Sequence, residues 1–165
     1  VVLWSLKLTQ EIITFGAGCF WGPELVFGAI QGVSQTAVGY MGGHLQYPRY
    51  TDVCRGDTGH VEVVQVYFDS SIVPHENLFA TFWDCHNPTH INRQGPDIGT
   101  QYKSVIFYHT DFQKTSAQQS MESLKSSETI RGSIATEIRP AEVFWPAEDY
   151  HQKYLQKKGL ASCQL

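Results

Sequence analysis

The segment HVEVVQVYF, at residues 60–68, limits the possible folds of this chain more than any other feature. Its dense Val, Tyr and Phe content, with side chains that alternate between two faces, is typical of a β-strand. A strand has to pair with others, and further strand-like segments are EIITFGAG, VSQTAVGY, YKSVIFYH, IATEIR and VFW. The sequence therefore predicts a sheet built from segments spread along most of the chain.

Helix-like segments lie between these predicted strands. Pro23 fits the first turn of a helix over CFWGPELVFGAIQG that ends at Gly32. HENLFATFWDCH has helical spacing, and Pro146 is expected to open a last helix over AEDYHQKYL. Thr110 and Gln113 form a capping-box pattern before a further helix. Strands interspersed with helices predict an α+β fold, a two-layer α/β sandwich in which helices pack on one mixed sheet.

Length and charge narrow the functional classes. The 165 residues are expected to form a single domain, residues 1–165, with a mobile C-terminal tail from about residue 157. The net charge is −4 and the 12 Lys and Arg residues are scattered, which argues against nucleic acid as a partner. No apolar run reaches the ~20 residues of a membrane span, and the first ten residues lack the layout of a secretory signal. We expect a cytoplasmic monomer.

The four cysteines are expected to be reduced thiols rather than structural disulfides. A chain of 165 residues does not need such cross-links, and no CxxC spacing occurs. The 4 Cys and 7 His leave a metal-binding module as an alternative function. Zinc sites, however, have short ligand spacings such as CxxC or HExxH, and the sequence contains neither. We therefore expect no metal and no organic cofactor.

Cys19 is the first candidate for a reactive group, because a predicted strand ends and a predicted helix begins at this position. Backbone amides and the dipole at a helix N-terminus favour a thiolate and lower the pKa of the thiol. Gly18 and Gly22 permit a close approach of the backbone. Phe20 and Trp21 can form an apolar wall for a small uncharged group. A buried structural cysteine is the alternative interpretation.

These residues form the run GCFWGPE, which closely resembles the active-site motif of A-type peptide methionine sulfoxide reductases. Four more segments are similar to that family in the same order: VGYMGG, YTDVCRGDTGHVEVV, NPTHINRQGPDIGTQYKS and AEDYHQKYL. The resemblance extends from about residue 12 to 158. It implies reduction of methionine S-sulfoxide, free or protein-bound, through a sulfenic acid on Cys19 and then an intramolecular disulfide. Such a reaction repairs oxidised proteins.

Glu62 is the candidate general acid. It shares a strand face with Val64, Val66 and Phe68, and a carboxylate at the end of an apolar face is desolvated, which raises its pKa. A carboxyl group that keeps its proton near neutral pH can act as a general acid. From the residues alone, a solvated glutamate at a strand end is the slightly favoured interpretation. The resemblance implies that Glu62 donates the proton to the sulfoxide oxygen.

Two predicted loops, at 44–59 and 87–101, are long enough to favour a functional role. Tyr50, Asp97 and Tyr102 lie in or beside them, and phenols are good neutral donors to a polar oxygen. Each of the three residues could also be an ordinary surface residue. The resemblance implies that both tyrosines bind the sulfoxide and that Asp97 belongs to the pocket. Because Phe20 and Trp21 offer an apolar wall beside Cys19, we expect them to hold the substrate's methyl group.

Cys163 is the candidate resolving thiol that attacks the oxidised Cys19. It follows Gly159 near the end of the given sequence, and it resembles the family's C-terminal recycling cysteine. No cysteine follows it up to Leu165, so we expect one tail disulfide rather than a relay of two. Cys54, close to Tyr50 in the sequence, is the alternative resolver. A dithiol protein, thioredoxin, is the expected reductant.

Three other residues have expected roles outside the chemistry. Asn87 stands where the family commonly has Asp in an HDP motif, and it can still cap a turn. Cys85 lies at helical spacing on an apolar face and is interpreted as a core residue. His151 is interpreted as a structural hydrogen-bonding group. A rival hypothesis, a cysteine hydrolase that pairs Cys19 with His151, is disfavoured by the short chain and by the sequence around His151.

Overall fold

The computed structural model describes residues 9–160, so the predicted resolver Cys163 lies outside the described residues. The strands of one mixed sheet are β1 Gln10–Ala17, β2 Val33–Met41, β3 Val61–Asp69, β6 Ser104–Tyr108, β7 Glu137–Pro140 and β8 Trp145–Pro146. Their order in the sheet is β7-β6-β1-β3-β2-β8, and of these neighbouring pairs only β6 and β7 run parallel. A separate small hairpin pairs β4 Arg93–Gln94 with β5 Asp97–Ile98.

The helices confirm the predicted two-layer α+β fold. The α-helices are α1 Trp21–Gly28, α2 Tyr50–Cys54, α3 His75–Asp84, α4 Asp111–Ser126 and α5 Tyr154–Lys157, and 3₁₀ turns cover Thr100–Tyr102 and Asp149–His151. Residues of α1, α3 and α4 pack with one face of the sheet in the main core. Helix α4 begins with the predicted cap, since Thr110 Oγ1 accepts a hydrogen bond of 3.1 Å from the Gln113 amide. None of the helices within residues 9–160 has both the length and the apolar character that a membrane crossing requires.

The two faces of the sheet are covered differently. The helix-covered face carries alternate strand residues, among them Ile13, Phe15, Val64, Val66 and Phe68. The opposite face has a smaller apolar cluster, packed against Ala141 and Phe144 rather than against a helix: Met41, Val61, Val63, Val105 and Phe107. Strand β3 is therefore covered on both faces, which explains its nearly continuous run of apolar residues.

Several predicted bounds of helices and strands were wrong. Tertiary contacts decide where these elements begin and end, and the periodicity of the local sequence does not contain those contacts. Helix α1 stops at Gly28 rather than at Gly32, which instead lies in the turn before β2 with φ +104°. The loop at 44–59 contains helix α2, and the loop at 87–101 contains the β4–β5 hairpin and a 3₁₀ turn. Pro146 belongs to β8 and does not open a helix.

The last predicted helix, AEDYHQKYL, is in fact broken into a 3₁₀ turn and the short helix α5. Gln152 lies between them, and its side-chain amide pairs with the backbone of Val38 through two hydrogen bonds of 2.9 Å. Lys153 adopts a left-handed conformation with φ +52°, and its amide donates to the Glu24 carboxylate. These contacts attach the segment to β2 and α1, and they replace the regular helical bonding that the sequence pattern suggested.

One end of the sheet gathers the candidate site residues. Phe15 of β1 pairs with Val64 of β3, so the end of β1 and the start of β3 lie side by side. The register also brings Tyr40, near the end of β2, opposite Glu62, and Ala17 opposite Ser104 at the start of β6. The segments that carry Cys19, Tyr50, Glu62 and Tyr102 all enter or leave the sheet here, as a mixed sheet with these connections requires.

Gly39, the glycine of β2, should not tolerate a side chain. A methyl group on it would clash with the backbone oxygen of Trp145 and lie 2.6 Å from the ring of Phe144. We expect Gly39→Ala to break the pairing of β2 with β8 and to lower the free energy of unfolding by roughly 1–3 kcal/mol. Gly28→Ala is the matched control, because its nearest neighbours would be 3.8 Å away, and it should be neutral or slightly stabilising. Urea unfolding midpoints measure both, and equal midpoints would contradict this expectation.

Candidate active site

Cys19 lies between the end of β1 and the start of α1, as predicted, two residues before the first helical residue. Its side chain is half-buried. The preceding residue, Gly18, has φ +84°, a conformation that strongly favours glycine. The chain can therefore turn sharply at Gly18 and present the thiol at the helix N-terminus, where amides and the dipole stabilise an anion.

Glu62 is buried at the start of β3, with 1% of its surface exposed. Its Oε1 accepts a hydrogen bond of 3.2 Å from the backbone amide of Phe20, the residue after Cys19. Burial, opposed by this hydrogen bond and assisted by the charge of Asp97, raises the pKa of Glu62 to about 8. Its Oε2 is buried and has no hydrogen-bond partner within residues 9–160. Glu62 is therefore a neutral acid at pH 7 with a proton that it can donate.

Tyr50 and Tyr102 lie close enough to this carboxyl group for its charge to act on both phenols. Tyr50 begins helix α2, and burial, followed by the neighbouring Cys54 at the end of that helix, raises the pKa of Tyr50. Burial and then the charge of Glu62 raise the pKa of Tyr102 to about 12. Both phenols therefore stay neutral near pH 7 and can donate hydrogen bonds.

Asp97 comes from the small β4–β5 hairpin, which sequence periodicity did not predict. Its side chain is exposed, yet its charge acts on both Glu62 and Tyr102, so the hairpin lies over the same site. Cys19 and Cys54 also act electrostatically on Tyr102. The structure thus brings together the predicted residues within its described range: Cys19, Phe20, Trp21, Tyr50, Glu62, Asp97 and Tyr102.

Aromatic rings form the wall beside Cys19. Phe20 is fully buried, with its ring centroid 5.1 Å from that of His151, and the Trp21 indole stacks on Tyr154 at 3.8 Å. Trp21 Nε1 donates a hydrogen bond of 3.0 Å to His151 Nδ1, so the imidazole must carry its proton on Nε2. Burial lowers the pKa of His151, which keeps it neutral. His151 therefore has the hydrogen-bonding role predicted for it and orients Trp21.

Glu148, which no sequence feature singled out, supports the site by holding Tyr40 and the start of helix α2. Its carboxylate accepts hydrogen bonds of 3.0 Å from the Tyr40 hydroxyl and from the backbone amide of Tyr50. Glu24, the last residue of the GCFWGPE run, is likewise structural, because it accepts hydrogen bonds from Thr36 and from the Lys153 amide. Glu148 and Lys153 both belong to the AEDYHQKYL motif. Their hydrogen-bond partners lie about 100 residues or more earlier in the chain, and the spacing of residues within the motif does not indicate them.

Asn87 caps a turn, as expected, because its Oδ1 accepts hydrogen bonds from the amide and hydroxyl of Thr89. Cys85 packs half-buried against the main core, and its thiol donates to the carbonyl of Phe82 at 3.3 Å. Within residues 9–160 no cluster of three or more His, Cys, Asp or Glu side chains could hold a metal ion.

A thiol next to a helix N-terminus, a buried carboxyl group with a raised pKa and two neutral phenols, beside a wall of aromatic rings, define an oxidoreductase site that suits a small polar group on an apolar stem. The family model of the peptide methionine sulfoxide reductases matches residues 11–165. The chain belongs to this family, in its MsrA type, and is an enzyme that reduces methionine sulfoxide.

Relatives and solved structures agree with this assignment. The peptide methionine sulfoxide reductase MsrA of Methanothermobacter thermautotrophicus is 54% identical over 94% of this chain and 92% of the relative. The MsrA of Geobacter sulfurreducens is 53% identical over 93% of this chain and 95% of the relative. Reduced Mxr1 of Saccharomyces cerevisiae is similar with a TM-score of 0.85 at 34% identity, covering 92% of this chain and 87% of Mxr1. Methionine sulfoxide reductase A of Corynebacterium diphtheriae is similar with a TM-score of 0.82 at 36% identity, covering 94% of this chain and 78% of that protein.

Proposed function

We propose that the chain reduces the S epimer of methionine sulfoxide, free or protein-bound, with Cys19 as the nucleophile. The Cys19 thiolate attacks the sulfoxide sulfur while Glu62 gives its proton to the oxygen, so that a sulfur–sulfur bond forms and the sulfur–oxygen bond breaks with release of hydroxide. The hydroxide then attacks Cys19 Sγ and breaks the new sulfur–sulfur bond, which releases the thioether and leaves a sulfenic acid on Cys19. The sulfoxide sulfur gains two electrons and the cysteine sulfur loses two. The epimer follows from the family resemblance.

The observation that carries this proposal is that Glu62 is buried and accepts a hydrogen bond from the amide of Phe20, the residue next to Cys19. Burial raises the pKa of Glu62 to about 8, so its carboxyl group keeps a proton at pH 7. Sulfoxide oxygen is a poor leaving group unless it is protonated, so the acid must be uncharged when the thiolate attacks. Burial keeps the proton on Glu62 near neutral pH, while the helix N-terminus favours the anionic form of Cys19. An acid and an anion can therefore coexist at the same pH.

The other site residues hold the substrate in this proposal. Tyr50 and Tyr102 donate hydrogen bonds to the sulfoxide oxygen, and their raised pKa values keep both phenols protonated. Phe20 and Trp21 receive the methyl group, with the indole fixed by His151. Asp97 completes the pocket, and its negative charge helps to keep Glu62 neutral.

The oxidised Cys19 then has to be reduced. We propose that Cys163 attacks the sulfenic acid, which forms a disulfide and releases water, and that a thioredoxin-like dithiol protein reduces this disulfide. Mxr1 of Saccharomyces cerevisiae has been solved in complex with Trx2. A monomer in the reducing cytoplasm suits this cycle. Cys54 is the alternative resolver, because it lies in the site beside Tyr50.

Mass spectrometry after one turnover without reductant tests the second thiol. We expect one methionine released per chain and a Cys19–Cys163 disulfide. A Cys163→Ser variant should release one methionine at the normal rate and then stop with a sulfenic acid that dimedone traps. A Cys19–Cys54 disulfide in the unmodified chain would overturn the choice of Cys163 and leave the reaction itself intact.

A further inference from the structure

We propose that Gln94 is a positioning residue for this reaction: it fastens the β4–β5 hairpin, and with it Asp97, over the backbone next to Cys19. The inference rests on the proposed function. It concerns a side chain to which the proposed mechanism gives no role, and it follows from three separate contacts.

The first contact is an amide clamp that Gln94, the strand residue next to the hairpin turn, makes with the backbone of Asn87. Gln94 Oε1 accepts a hydrogen bond of 2.9 Å from the Asn87 amide, and Gln94 Nε2 donates one of 2.9 Å to the Asn87 carbonyl. One side chain therefore satisfies both backbone groups of a residue seven positions away, as a paired strand residue would. The clamp joins the two ends of the segment 87–94 and therefore holds strand β4 against Asn87.

The second contact joins the clamp to the nucleophile's loop. A methyl group built on Gly18 would lie 2.7 Å from Gln94 Cβ and 2.8 Å from Gln94 Cγ. The stem of Gln94 therefore occupies the space that a side chain at residue 18 would need. It lies against the backbone one residue before Cys19, and glycine is required at residue 18 for packing as well as for its positive φ.

The third contact leads from the clamp to the acid. Gln94 pairs directly with Asp97 across the hairpin, with Gly95 and Pro96 as the turn between them. Asp97 is the charged group on this hairpin that acts on Glu62. Gln94 thus links the loop of the nucleophile to the carboxylate that helps to keep the acid protonated, although the hairpin has only two residues in each strand.

The consequence concerns the rate of reduction more than substrate affinity. If the clamp is cut, the hairpin can move away from Gly18, and the charge of Asp97 no longer has a fixed distance from Glu62. The other groups that face Glu62 stay in place: the Phe20 amide and the phenols of Tyr40, Tyr50 and Tyr102. Because Asp97 raises the pKa of Glu62, its retreat should move the basic limb of the pH profile to lower pH.

The test is Gln94→Met, which keeps an unbranched stem over Gly18 and loses the amide. Single-turnover release of methionine by the full chain should slow by about tenfold to a hundredfold. The apparent KM should change less than the rate constant, and the basic limb should shift to lower pH. Thr89→Ala is the matched control, because it removes a 2.6 Å hydrogen bond between uncharged side chains of the same loop and leaves the clamp untouched.

The outcomes separate this inference from the proposed function. A Gln94→Met variant with the normal rate and pH profile would overturn the positioning role, as would an equal loss of rate in Thr89→Ala. If the unmodified chain itself releases no methionine, the proposed function fails first. Thermal unfolding of both variants checks that the fold persists. Gln94→Glu, which retains the acceptor and loses the donor at neutral pH, gives a second variant that should also be slow.

Discussion

A Cys19→Ser variant is expected to release no methionine from methionine sulfoxide, a loss of at least ~10⁴-fold in rate. A serine hydroxyl stays protonated at neutral pH and cannot pass through a sulfenic acid, so neither attack on sulfur nor transfer of the oxygen can occur. The half-buried position accepts a side chain of similar size, and the fold should be retained. Chromatographic measurement of methionine after a single turnover, with dimedone labelling of sulfenic acid, checks both points.

Cys85→Ser is the matched control for this prediction. Cys85 donates to the carbonyl of Phe82, and a serine hydroxyl can make the same hydrogen bond. We expect activity within about twofold of the unmodified chain and a stability change of ~1 kcal/mol or less. Methionine release by Cys19→Ser at an appreciable rate would mean that another thiol carries the oxygen. Loss of activity in Cys85→Ser alone would identify that thiol.

The sequence predicted the long elements and the residues fixed by them. Strand β3 was predictable because both faces of the strand are covered, so that nearly all of its residues are apolar. Side chains alternate between the two faces along a strand, and Glu62 therefore shares a face with Val64. The place of Cys19 followed from the change from strand to helix. The family resemblance then pointed to Tyr50, Asp97 and Tyr102, whose local sequences are loop-like and carry no periodic signal.

The short helices and strands were not predictable, because contacts between residues far apart in the sequence stabilise them. Helix α2 has five residues and lies within a segment rich in glycine, and its first residue is held by Glu148 from near the end of the chain. The break in AEDYHQKYL depends on the pairing of Gln152 with Val38. A helical pattern of nine residues gives weak local preference, and two side-chain to backbone bonds are enough to override it.

Glu62→Gln should separate the chemistry of the site from its geometry. A glutamine can still accept the hydrogen bond from Phe20, but it has no acidic proton, and we expect the rate of reduction to fall by about 10²–10⁴-fold. Activity of the unmodified chain should be full below a pKa of about 8 and fall above it, because only protonated Glu62 donates. The variant should lose this basic limb. Single-turnover rates from pH 6 to pH 9.5 measure it, and a surviving limb near pH 8 would assign it to another group.

The same carboxyl group should make the fold less stable at high pH. Because the pKa of Glu62 rises from 4.5 to about 8 on folding, the native state holds one more proton than the unfolded state between these values. The stability of the native state therefore declines as pH rises through this window, by roughly 4–5 kcal/mol at most. Glu62→Gln removes this loss, so its stability relative to the unmodified chain should increase from pH 5 to pH 8.5. Glu122→Gln, at an exposed carboxylate, should show no such trend in urea unfolding. A constant difference for Glu62→Gln would mean that this glutamate is already ionised in the native state.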